Sequence, residues 1–229
     1  MVAQDPSDVD LAPFEPEELE ALPIFPLPRV VLLPGGVMPL HVFEPRYRAM
    51  VSDCISHGPR AIAMAMLVPG WERDYEGRPP IRTIAGAGRI VAHRRNHDGT
   101  HDLVLHGIAR VRLDERSDLE RPYRVASATV IDDDDDRDED ALRRALEPVL
   151  AIASSLSALE KRGLVPPPQL VGTPSSVADR IADRWIHEAN ARQEILETTS
   201  VPRRIARVGD ALVTLLARLA TPSGSGAAN

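Results

Sequence analysis

The chain has 229 residues, 43% of them hydrophobic and 27% charged, with a net charge of −7. That is the profile of a water-soluble globular protein long enough for one large domain or two small ones. It has no apolar run long enough to span a membrane, its acidic start does not read as a signal peptide, and its lone cysteine, Cys54, excludes an internal disulfide; a cytoplasmic location is expected.

Residues 1–21, MVAQDPSDVDLAPFEPEELEA, are acidic and punctuated by Pro6, Pro13 and Pro16, and read as a flexible arm. From Leu22 the pattern changes to short apolar runs of strand length and composition: IFPL, VVLL, MPLHVF, AIAMAMLV, IRTIAGAGRIVAHRR, THDLVLHG, IARVRLD and YRVASATVI. Pro34-Gly35-Gly36 turns the chain between VVLL and MPLHVF, and Pro39 demands an edge or bulge position in the second of these runs. One helix interrupts the strands, EPRYRAMVSDCISHG, with Pro45 in its first turn and Tyr47, Met50, Val51 and Cys54 on one face. Asp98-Gly99 marks a hairpin whose second arm alternates, with Ala109, Val111 and Leu113 on one face and Arg110 and Arg112 on the other. Many short strands with one inserted helix predict a closed or nearly closed barrel over residues 22–131.

The acidic run DDDDDRDED, residues 132–140, is a solvated connector, after which the period becomes helical. DEDALRRALEPVLAIASSLSALEKRG opens with acids at the positive helix end and stops at Gly163. Thr173-Pro174 caps a second helix through SSVADRIADRWIHEAN, and a third begins near Val201 and runs through RRIARVGDALVTLLARLA. Residues 141–220 form the helical subdomain and 221–229 a flexible tail. The fold class is α+β.

Catalytic motifs are not found. There is no Walker A loop, no G-x-S-x-G elbow and no H-E-x-x-H. The single lysine, Lys161, sits beside Arg162 at a helix end and reads as a C-terminal helix charge rather than half of a Ser–Lys dyad. His93, His97 and His101 surround the Asp98-Gly99 turn; on alternate strand faces and a mobile tip they are expected to meet water, not a metal. Cys54, on the apolar helix face, reads as a buried inert thiol. No catalytic, cofactor-binding or metal-binding residue is assigned.

The proline-rich opening carries a resemblance. LPIFPLPRVVLLPGGVMPLHVFEPRY is similar to the start of the Lon substrate-binding domain, the N-terminal domain of the ATP-dependent Lon proteases. Leu22-Pro23, Pro26-Leu27, Leu33-Pro34-Gly35, Pro39-Leu40, Phe43-Glu44 and Arg46-Tyr47 match the family in order and spacing. The likeness continues through TIAGAGRIVAHRRNHDGTHDLVLHGIARVRL and ADRIADRWIHEANARQEILETTSVPRRIARV, and so covers about residues 22–220. It implies a PUA-like β pseudobarrel with one inserted helix, followed by a C-terminal helical bundle. With no ATPase or protease motif, the chain resembles the stand-alone bacterial Lon N-terminal-like proteins, which carry a peptidase family label without a peptidase site.

The resemblance implies a non-catalytic protein- or peptide-binding module of proteostasis, recognising unfolded segments or acting as an adaptor, with no cofactor and no membrane partner. Among the residues, Trp71 and Tyr75 lie on the loop AMLVPGWERDYEGRPPI, where they either dock a partner's apolar side chain or fold back over the barrel end. Met38, Met64 and Met66 either line an adaptable groove or fill the core. The alternative is an RNA-binding PUA-type module using Arg89, Arg94, Arg95, Arg110 and Arg112. Nucleic-acid binding is not the expected function, because no aromatic platform accompanies these arginines and two acidic segments repel phosphate.

Overall fold

The computed structural model describes residues 11–74, 77–116, 120–134, 138–159 and 172–220. Along the chain run α1 (Pro16–Leu19), β1 (Leu22–Leu27), β2 (Val37–Val42), α2 (Pro45–Ser56), β3 (Ala61–Met66), β4 (Ile84–Arg95), β5 (His101–Arg116), β6 (Arg124–Val130), α3 (Glu139–Leu159), α4 (Pro174–Trp185), α5 (Ala189–Glu197) and α6 (Val201–Ala220). The strands form one sheet in the order β2-β5-β4-β3-β1-β6, and β6 also pairs with β5. Five strands therefore close a hydrogen-bonded circuit, with β2 added outside it. All pairings are antiparallel except β1 with β3, which the β2–α2 crossover permits.

Small residues set the width of that circuit. Ala61, Ala63, Ala65, Ala85, Ala87 and Ala126 line its interior together with Leu22, Ile24, Val111 and Leu113. Phe14 and Leu19 join the same cluster, so the arm expected over residues 1–21 is packed against the barrel from Phe14. Its polar side is held too: Arg89, only 7% exposed, donates to Glu18 at 2.7 Å and 2.9 Å and lies over the Phe14 ring. Residues 1–10 and the tail 221–229 lie outside the described residues.

A second core lies between α2 and the sheet. Tyr47, Met50, Val51 and Cys54 of α2 pack with Phe25, Ile62, Met64, Ile90, Leu103 and Leu105, the helix face anticipated from spacing. The third core is helical: α3, α4, α5 and α6 bury Leu146, Ile181, Trp185, Ile195, Ile205 and Leu212, joined by Val31, Leu33 and Met66 from the β-rich half. Each such fully buried aliphatic side chain contributes roughly 1.5–3 kcal/mol.

VVLL, expected as a strand, belongs to no ladder. It is a buried extended segment that sends Leu32 into the α2 core and Val31 and Leu33 into the helical core. Its carbonyls lie directly on barrel glycines: a Cβ on Gly86 would meet the Leu32 oxygen at 1.8 Å, and one on Gly107 the Leu33 oxygen at 2.1 Å. Gly35 and Gly107 complete the contact, the Gly35 N–H donating to the Gly107 carbonyl at 2.8 Å. THDLVLHG and IARVRLD, read as separate runs, form the single strand β5.

In the helical half, Thr173 caps α4 by accepting from the Ser176 N–H at 3.2 Å, with Pro174 in the first turn. The continuous helix expected through Asn190 breaks after Trp185. Glu188 starts α5 by accepting from the Asn190 and Ala191 N–H groups at 3.0 Å and 2.6 Å. Glutamate is not among the usual capping residues, so this boundary carried little sequence signal. Gly163 and Lys161 lie outside the described residues, as do residues 135–137 of the acidic connector.

Candidate functional site

The long β4–β5 hairpin has two halves. Its proximal half belongs to the barrel, and its distal half pairs with β2 in a three-stranded layer whose one face is covered by α2. On that covered side Leu103 and Leu105 are buried, whereas Asp102, Val104 and His106 alternate onto the opposite face. Registry across the three strands then sets two rows on the outer face. Pro39, Val104 and Ala92 lie side by side, and next to them His41, Asp102 and Arg94.

The outer rows border a groove of about 600 Å³ whose lining also includes Leu40, His93 and Leu103. Its floor is apolar and its rim polar. Asp102 accepts from Arg94 at 2.7 Å and from the Asn96 amide at 3.1 Å, and its other oxygen lies 2.7 Å from Nδ1 of His41. These partners, His41 first, hold the Asp102 carboxyl well below the usual carboxylate range. Val37 and Phe43, at 58% and 63% exposed, flank the groove along β2 and just beyond its end. Among the described residues β2 pairs only with β5, so its other edge is open. Pro39 interrupts that edge, as expected of a proline in an outer strand.

The residues singled out in the sequence are not gathered at this surface. Met38 is half-buried against the α2 core, Met64 lies within that core and Met66 in the helical core, the last two 1% and 4% exposed. Trp71 is half-buried on a 3-10 turn, Trp71–Asp74, and Tyr75 lies outside the described residues. The loop bearing Trp71 is closed at its base by the Leu67–Ile81 bridge and held by Arg124, which donates to the Pro79 carbonyl at 2.7 Å. Pro39, Leu40, Ala92 and Val104 are not among the candidate contacts read from the sequence. The alternation in THDLVLHG is the signal that could have found their face.

The five arginines of the RNA reading do not share a surface. Arg89 is committed to Glu18 and Arg94 to Asp102. Arg110, 5% exposed, donates to Asp179 at 2.5 Å and to the Leu196 carbonyl at 3.1 Å. Asp179 is shared with Arg204, fully buried at 3.5 Å, which is also paired with Asp133 and donates to Ser175 at 2.7 Å. This network joins β5, the connector, α4 and α6. A cleft of about 400 Å³ beside it is lined by Arg110, Asp179, His106 and the first turn of α4.

His93 and His101, expected on alternate faces, meet: Nε2 of His93 lies 2.7 Å from Nδ1 of His101. The hairpin loop holds three residues, His97-Asp98-Gly99, closed by the Asn96 N–H donating to the Thr100 carbonyl at 2.9 Å, so His93 pairs with Leu103 and shares the face of His101. Among the described residues no group of three or more His, Cys, Asp or Glu side chains could hold a metal ion. Cys54 is 2% exposed, and burial, with Asp53 beside it, pushes its thiol up to about 12.

Residues 21–214 match the substrate-binding domain of the ATP-dependent protease La (LON). The chain belongs to the Lon substrate-binding domain family. It is 31% identical over 194 residues to the Lon protease of Dictyoglomus thermophilum, covering 82% of this chain and 24% of that protein. To Lon protease 2 of Thermus thermophilus it is 26% identical over 209 residues, covering 88% of this chain and 24% of that one. The chain thus spans about a quarter of the length of these Lon relatives. A crystal structure of a Lon N-terminal domain protein from Xanthomonas campestris aligns with a TM-score of 0.56 at 26% identity, over 86% of this chain and 97% of that one. The N-terminal domain of a Mycobacterium avium complex Lon protease shares the fold, with a TM-score of 0.62 at 19% identity, over 85% of this chain and 98% of that one. The Lon-like region includes both the barrel and the helical half, and the groove on β2, β4 and β5 falls within it. No helix among the described residues is long and apolar enough to cross a membrane.

Proposed function

We propose that this Lon-type domain is a non-catalytic protein-binding module that holds extended, apolar polypeptide segments, as found in unfolded chains, along the open edge of β2 and across the outer groove. The observation that carries the reading is the coincidence, in a substrate-binding domain family, of an unpaired strand edge with an apolar row, Pro39–Val104–Ala92. An extended segment laid along β2 exchanges backbone hydrogen bonds with the edge, which gives affinity without sequence demands, while alternate side chains enter the groove. Pro39 removes one donor, so the ladder is short and the binding reversible. The strand circuit closed by β5–β6 pairing supports the PUA-like form of the barrel. Trp71, on the loop between β3 and β4, is kept as a second contact away from the groove, and the module acts in the cytoplasm, as a recogniser of unfolded segments or an adaptor.

The test is fluorescence anisotropy of a labelled, permanently unfolded polypeptide with the full chain. Val104→Asp and Ala92→Asp place a charge on the outer face without entering a core, and each weakens binding by about tenfold, the cost of burying an unpaired charge against an apolar segment. Trp71→Ala weakens it less. Affinity unchanged by both groove substitutions removes this surface from the reading.

A further inference from the structure

On the α2 side of the β4–β5 hairpin tip, basic side chains from several elements converge. His93 and His101 stack with ring centroids 5.0 Å apart and share the 2.7 Å contact between their ring nitrogens. Arg95 is the direct cross-strand partner of His101. Arg48 of α2 lays its guanidinium against the turn, where a Cβ on Gly99 would come within 2.2 Å of its Nη2. Arg60, whose carbonyl accepts from the Ile90 N–H at 2.7 Å just before β3, adds its charge at His93.

The arginines of this cluster differ from those that tie the elements of the fold together. Arg89, Arg110, Arg124, Arg192 and Arg204 each meet a carboxylate. Arg48 and Arg95 meet none among the described residues. The acids close by in sequence are engaged elsewhere: Glu44 with Arg46, Asp98 with the Thr100 N–H and hydroxyl, and Asp102 with Arg94 and His41 on the opposite face. A contact between two imidazole nitrogens requires one ring to donate and the other to accept, so the bonded pair carries at most one proton beyond neutrality. Burial lowers the pKa of both histidines, and Arg60 at His93, and His93, Arg95 and Arg48 at His101, lower it further.

We propose that this cluster is a binding site for a small oxyanion of the phosphate type. Arg48 and Arg95 present planar forks of N–H donors suited to such an anion. Nδ1 of His93 and Nε2 of His101, the ring nitrogens outside the shared contact, are the further donors available once protonated. A bound dianion supplies the negative charge the cluster lacks, raises the histidine pKa values and draws a proton from solvent, so binding tightens as pH falls from 8 to 6.

The experiment is an NMR titration of the full chain, labelled at histidine, with inorganic phosphate at constant ionic strength. The His93 and His101 ring signals shift saturably, several-fold more tightly at pH 6 than at pH 8. Arg48→Ala/Arg95→Ala weakens the response by about tenfold or more, the worth of the charge-assisted hydrogen bonds removed. Arg94→Ala, on the opposite face, leaves it unchanged. Should the double variant unfold, Arg95→Gln at its exposed position gives the same reading. A small phosphomonoester in a parallel titration separates free from esterified phosphate, and saturable binding of either supports the site. An equal response to chloride, undiminished binding in the arginine variants, or saturable binding of a short single-stranded RNA where both phosphates fail would overturn it.

Discussion

Asp179→Ala is the perturbation whose cost the structure defines most closely. The carboxylate is 1% exposed and lies 2.5 Å from Arg110 and 3.5 Å from Arg204. Arg204 survives its loss well, keeping Asp133, Ser175 and the Thr198 and Thr199 carbonyls. Arg110 does not: it is 5% exposed and, among the described residues, retains only the Leu196 carbonyl at 3.1 Å as a hydrogen-bond acceptor. Removing one partner of a buried pair costs about 3–5 kcal/mol, most of it the stranding of the other charge. Against a total stability of about 5–15 kcal/mol this lowers a urea midpoint by roughly 1–3 M. The assay is urea unfolding followed by tryptophan fluorescence and circular dichroism, since Trp71 reports the β-rich half and Trp185 the helical half. Arg110→Met/Asp179→Leu, which removes both charges, recovers most of the loss. A single variant within about 1 kcal/mol of wild type, or a double variant as damaged as the single, would show that Arg110 is not stranded by loss of Asp179.

Gly107→Ala drives a methyl into the Leu33 carbonyl, 2.1 Å from the ideal Cβ position, and displaces the segment that joins the α2 and helical cores. The expected loss is about 3 kcal/mol or more by urea unfolding. Glu18→Gln weakens the arm's hold on Arg89 by about 1–2 kcal/mol at pH 7. The hydrogen bond from Arg89 lowers the Glu18 pKa in the folded state. The wild-type advantage is therefore full above the unfolded value, about 4.3, and fades as pH falls through the folded one, which unfolding at pH 7 and pH 3 checks. Cys54 resists a thiol reagent in the native protein and reacts fully in denaturant, because burial and Asp53 keep it protonated.

Periodicity revealed the elements whose faces are uniform: the apolar stripe of α2, the Thr173-Pro174 start of α4 and the Asp98-Gly99 hairpin are all present. It failed where a residue's environment is made by distant chain. VVLL has strand composition but lies on Gly86 and Gly107 instead of in a ladder, a close approach that only those distant glycines permit. Arg110 reads as a solvent-facing member of an alternating strand, yet its partner is Asp179, 69 residues on. An aspartate among Val177, Ala178, Ile181 and Ala182, all buried on α4, was the available hint of a buried charge pair. His93 shares the face of His101, against expectation, because the hairpin loop holds three residues, His97-Asp98-Gly99, where Asp98-Gly99 alone reads as a two-residue turn, and that one-residue difference reverses the pairing parity. The groove was missed because its apolar row is built from one residue on each of three strands.

Amide hydrogen exchange of the full chain, free and with an unfolded polypeptide, tests the central proposal most directly. Exchange slows along Val37–Val42, where the open edge of β2 gains backbone partners, with no comparable slowing in β3, which is paired on both sides within the closed circuit. Protection confined to the Trp71 loop or to the helical half, with β2 unchanged, would contradict the proposal.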